Sequence, residues 1–102
     1  MGKTRTTADW DAVIEDLQER VHRARTRLDE VERARQPHRL AAAQGDAKAR
    51  EELDRLSEDH RQAQVELAGL DGALEQARTE REAAAEAERR KADGERQRKL
   101  GK

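Results

Sequence analysis

Three histidines, His22, His38 and His60, are the only imidazoles in the sequence, and there is no cysteine. A metal centre needs such donors to converge with carboxylates at ligand spacing. Separations of sixteen and twenty-two residues place these three on different stretches of chain, so neither a metal nor any other cofactor is expected. Carboxylates are plentiful, with 23 Asp and Glu. General acid–base work, however, needs one of them in a sheltered pocket that shifts its pKa. Ser57 is the sole serine and sits in no nucleophile elbow, and no glycine-rich loop could cradle phosphate. The sequence therefore reads as non-enzymatic.

Two kinds of binding chemistry remain. Residues 89–102 hold seven basic and two acidic side chains, and Arg89, Arg90, Lys91, Arg96, Arg98 and Lys99 are candidate nucleic-acid contacts. A second basic run comprises Arg20, Arg23, Arg25 and Arg27. Neutralising phosphate needs only clustered Lys and Arg. Reading or stacking bases needs aromatics or a docking motif, and Trp10 is the one aromatic residue. Nucleic-acid binding would thus be sequence-independent, and it competes with plain solvation of a chain end. The other chemistry is apolar. Trp10, Val13, Ile14 and Leu17 form a stripe wider than a two-stranded seam needs. With Val21, Leu70 and Leu74 they form the candidate surface for a homo-oligomer or a partner helix.

The elements that must carry these side chains follow from composition. At 102 residues the chain is one domain. Charged residues make up 44%, apolar residues 33% and aromatics 1%, so a thick core cannot be built. Disorder goes with high net charge, yet here 22 basic residues nearly cancel 23 acidic ones. Ala, Glu, Arg, Leu and Gln are all good helix formers. Long solvated helices are expected. No apolar run is long enough for a signal peptide or a membrane span, and the lack of cysteine fits a reducing compartment. A cytoplasmic location with no membrane partner is expected. Met1-Gly-Lys-Thr-Arg-Thr6 matches the myristoylation pattern, but a polar lead is the plainer reading. Arg outnumbers Lys 17 to 5, a usage associated with GC-rich bacterial genomes.

Heptads organise the helices. Trp10, Ile14, Leu17, Val21, Ala24, Leu28 and Val31 alternate steps of four and three, and so do Leu53, Leu56, His60, Ala63, Leu67, Leu70, Leu74 and Ala77. Between the two ladders stand Pro37, a helix interrupter, and Gly45-Asp46, a stop followed by an N-cap. A fold at Gly45-Asp46 makes facing residue numbers sum to about 91. Leu17 then meets Leu74, Val21 meets Leu70, Ala24 meets Leu67, and large residues often oppose small ones. A fold at Pro37 would oppose Leu17 to the Ser57 region. Register therefore selects Gly45-Asp46, and Pro37 becomes a kink in the first arm. The expected layout is a flexible lead over 1–7, a first arm over 8–44, a turn at 45–46, a second arm over 47–88 and a basic, frayed tail over 89–102. Thr6 or Thr7 is the expected first cap. Gly69 and Gly72 weaken the second arm by roughly 1 kcal/mol each, either as tolerated exposed positions or to admit a close helix. Past Ala77 the seam degrades to Arg81, Ala84 and Glu88.

The stretch Leu40-Ala-Ala-Ala-Gln-Gly-Asp-Ala-Lys-Ala-Arg-Glu-Glu-Leu53, with the Leu56, Leu67, Leu70 and Leu74 ladder, resembles small coiled-coil proteins of phage and phage-derived bacterial gene clusters. Small terminase subunits of phages also assemble through an antiparallel helical hairpin. The resemblance covers roughly residues 12–80 and implies a role in assembly. The helix-turn-helix that many small terminases carry at their N-terminus has no counterpart here, which puts specific DNA recognition in doubt. The expected fold is all-α, an antiparallel two-helix coiled-coil hairpin that assembles into a dimer or larger bundle.

Overall fold

The computed structural model describes residues 4–101, with the side chain of Leu100 left aside. Gly2 of the myristoylation pattern lies outside the described residues. Two α-helices make up the fold, α1 over Thr7–Ala43 and α2 over Ala47–Leu100. They pack against each other as an all-α hairpin, and the contacts between them run antiparallel. Asp11 pairs with Arg81, Arg25 with Asp71 at 3.8 Å, and Glu32 with His60 at 3.4 Å. The numbers in each pair sum to between 92 and 96, close to the 91 expected from the apolar ladders.

Local chemistry explains each helix boundary. Thr6 is the first cap: its Oγ1 accepts from the backbone N–H of Asp9 at 3.2 Å, and the Asp9 carboxylate accepts from the N–H of Thr6 at 2.9 Å. This reciprocal arrangement satisfies two of the donors that a helix start leaves open. It also holds the Asp9 carboxyl below its ordinary pKa, chiefly through the backbone bond from Thr6. At the other end of α1, Gly45 adopts a φ of 95°, a conformation that costs side-chain-bearing residues. The Gly45 N–H donates to the Ala42 carbonyl at 3.1 Å and the Asp46 N–H to the Ala41 carbonyl at 3.0 Å. These bonds close the helix in a Schellman motif. Asp46 then opens α2, its Oδ1 accepting from the Ala49 N–H at 3.1 Å.

The helix α1 runs without a break through Pro37. Proline removes only the bond to the Arg33 carbonyl, and both residues are exposed, so that carbonyl faces solvent. The far end of α2 departs from expectation. The segment expected to fray beyond residue 88 is helical to Leu100. Arg, Lys, Gln, Glu and Ala all favour helix, and Glu86 ties the segment to the preceding turn through Arg89 at 2.6 Å and Arg90 at 3.2 Å. One interior glycine, Gly94, costs about 1 kcal/mol and does not stop it.

The core is thin and rich in alanine. Val21, Ala24, Ala42, Ala49, Leu56, Ala63, Leu74 and Ala77 are its buried residues, and Ala63 is only 1% exposed. Alanine lets two backbones approach closely, while Val21, Leu56 and Leu74 supply most of the apolar volume. Gly69 and Gly72 lie on the exposed side, with open space where a Cβ would stand. They are tolerated positions and serve no close approach among the described residues.

Candidate functional site

The hairpin divides into two compact units, one formed by the chain up to Gln18 together with the chain from Ala73, the other by Glu19–Gly72. In the first unit, Trp10 is half-buried beside Ala83, Ala84 and Ala87 of α2. The guanidinium of Arg5 sits 4.7 Å from the centre of its ring, within cation–π range. Trp10 is therefore partly covered by its own chain. Val13, Ile14 and Leu17 are also half-buried, and Leu74 is buried. Much of the expected stripe is therefore taken up by the intramolecular seam.

Polar groups complete this unit where the apolar ladder gives out. Glu88 accepts from the Thr7 N–H at 2.9 Å and from the Thr7 hydroxyl at 2.7 Å. A side chain of α2 thus caps the start of α1, where the helix dipole favours negative charge. The bond from the Thr7 backbone is the main reason the Glu88 carboxyl lies below its ordinary pKa, with the Thr7 hydroxyl next and the Arg81 charge adding to it. Arg81, one heptad earlier, pairs with Asp11, and that bond raises the pKa of Arg81. Arg81 and Glu88 are therefore cross-links, and the seam extends about two heptads beyond its last large apolar residue.

In the second unit, Val21 is buried and Leu70 half-buried. Near Leu70 the chain presents Arg20, Arg23 and Arg27 with Glu66 around one shallow depression. A polar layer interrupts the seam farther along. Glu32 accepts from Arg35 at 2.9 Å and from Arg39, and it approaches His60 across the hairpin. The bond from Arg39 is the leading cause that keeps the Glu32 carboxyl below its ordinary pKa. The Nε of Arg35 is buried with no hydrogen-bond partner among the described residues. Such an atom costs roughly 1–3 kcal/mol. Among the described residues, no group of three His, Cys, Asp or Glu side chains converges on a point that could hold a metal.

Two exposed apolar side chains escaped the sequence reading. Leu40 is 69% exposed and Val65 is 68% exposed. Each follows a seam position by two residues, which points it directly away from the partner helix. An apolar residue at that offset was the available signal. All six basic candidates of the α2 end, Arg89, Arg90, Lys91, Arg96, Arg98 and Lys99, are exposed on one continuous helix. Arg89 and Arg90 are engaged by Glu86, and Arg98 donates to the Gly94 carbonyl at 3.4 Å. No helix among the described residues is long and apolar enough to cross a membrane. Comparison with known proteins finds no matching family model, no matching curated protein and no matching solved structure.

Proposed function

We propose that this chain is a non-enzymatic structural or adaptor element, acting by self-association or by docking to a partner helix in a cytoplasmic, phage-type assembly. One observation carries the reading. The chain leaves 8115 Å² accessible to solvent, whereas a folded monomer of its mass exposes about 5,800 Å². Apolar burial contributes about 25 cal/mol per Å², and a seam made largely of alanine removes little area from water. Covering the half-buried flank of Trp10, Val13, Ile14 and Leu17, or the outward Leu40 and Val65, adds what the isolated hairpin lacks. The first flank is the primary contact, because its four residues are contiguous on α1 while Leu40 and Val65 stand on different helices. The likeness to phage coiled-coil proteins points the same way.

Sedimentation equilibrium of the full chain tests the proposal. The expected mass is a multiple of 11.6 kDa, reduced towards the monomer by Val13→Glu with helicity retained. A wild-type chain that stays monomeric at tens of micromolar and retains no helical partner would overturn it.

A further inference from the structure

The end of α2 has no counterpart on α1. Glu88 is bonded to Thr7, the first residue of α1, so the helical turns from Arg89 to Leu100 extend past the paired region for about 18 Å at 1.5 Å per residue. Residues 89–99 are Arg-Arg-Lys-Ala-Asp-Gly-Glu-Arg-Gln-Arg-Lys, six basic against two acidic, and every one is exposed except the intermediate Gly94. Lys91, Arg96 and Lys99 have no ion-pair partner among the described residues. The dipole of a helix favours cations in its last turn. That accounts for Arg98 and Lys99 but not for the charges a turn or more earlier.

The distribution of charge around this helix identifies its partner. At 3.6 residues per turn, Arg89 and Arg96 fall along one side, Lys91 and Arg98 along the opposite side, and Arg90 and Lys99 on the two flanks between them. A flat anionic surface, such as a lipid headgroup plane, would engage one side and leave the other in water. Membrane binding by a helix also needs an apolar face, and Ala92 is the only apolar side chain between Arg89 and Lys99. A groove of duplex DNA has phosphates on both walls. The major groove is about 12 Å wide, and an α-helix with its side chains is about 10–12 Å across. The segment holds no aromatic residue to stack on bases, and Gln97 is its only amide side chain.

We propose that the α2 extension is a sequence-independent binding element for double-stranded nucleic acid, laid in a groove with Lys91, Arg96 and Lys99 as its main phosphate contacts. The inference does not rest on the adaptor reading, since it concerns only the part of α2 that α1 leaves uncovered.

Fluorescence anisotropy of the full chain with labelled duplexes of two unrelated sequences tests it, run between about 50 and about 200 mM salt. Both duplexes are expected to bind equally within about twofold. The logarithm of affinity should fall with the logarithm of salt by about 0.9 for each phosphate neutralised. The triple variant K91Q/R96Q/K99Q, with helicity checked by circular dichroism, should bind at least roughly tenfold more weakly and lose about 2.7 from that slope. Three results would overturn the proposal: no salt-dependent binding, unchanged affinity in the triple variant, or binding to phosphatidylserine vesicles in place of duplex. The sedimentation mass reports on self-association separately, so the two readings stand or fall apart.

Discussion

At the Gly45 turn the two helices are joined by main chain, whereas at Thr7 and Glu88 they are joined only through non-covalent contacts to the Glu88 side chain. The closed end is held by backbone bonds from Gly45 and Asp46 and by two buried alanines, Ala42 and Ala49. The open end is held by Thr7 with Glu88, Asp11 with Arg81, and Arg5 over Trp10. Covalent connection fixes the register of the closed end, so small apolar residues suffice there. Far from the turn nothing but complementary groups can set the level of one helix against the other. Exposed ion pairs add little stability individually, so these contacts do more for register than for strength. The difference lies in what sets the register at each end: the connecting chain at the turn, and paired groups at the open end.

The largest test removes both ends at once. Leu74 is 7% exposed, and Leu74→Asp would bury a carboxylate with no partner. Most of the helical circular dichroism is expected to disappear; a surviving cooperative transition would show that the two ends melt separately. A smaller effect is expected at the turn. Gly45→Ala forces a side chain into a positive-φ conformation, at about 1 kcal/mol. Urea midpoints should show the same loss at low and high salt, because no charge is involved. The smallest effect at neutral pH belongs to Glu88→Gln, and it should depend on pH. The folded pKa of Glu88 lies below 4.5, its ordinary value. Its contribution is therefore present above pH 4.5 and is lost as the pH falls through the lowered folded value. Wild type and variant should differ in thermal midpoint at neutral pH and converge in acid. A constant difference across the titration would contradict the charge-based account of the open end.

Much of the fold was legible because its determinants are local or periodic. The Gly45-Asp46 stop and start, a threonine cap and the two ladders lead directly to the antiparallel pairing. The helical end of α2 was hidden because its charges read as a tail, although Arg, Lys, Gln and Glu favour helix and Glu86 anchors the first turn of the segment. Arg81 and Glu88 were read as the decay of the seam. Their role depends on what lies across the hairpin, Asp11 and an uncapped helix start, and carrying the same register rule past Ala77 would have found both. The burial of Trp10 was missed because the cover comes from Arg5, in the segment read as a flexible lead, and from alanines of α2. The orphaned Nε of Arg35 depends on side-chain geometry that spacing does not encode.

The pairing rule has a consequence for how the molecule comes together. Ala42 and Ala49, both buried on either side of the turn, are only seven positions apart in sequence, while Thr7 and Glu88 are 81 apart. Closing the long loop directly costs roughly 2 kcal/mol more in chain entropy than closing the short one. Each level formed next to the turn shortens the loop that the following level must close, so loop-closure entropy favours a zipper running from Gly45 outward. Its last teeth are the charged ones, which makes the open end the final part to form and the first to fray.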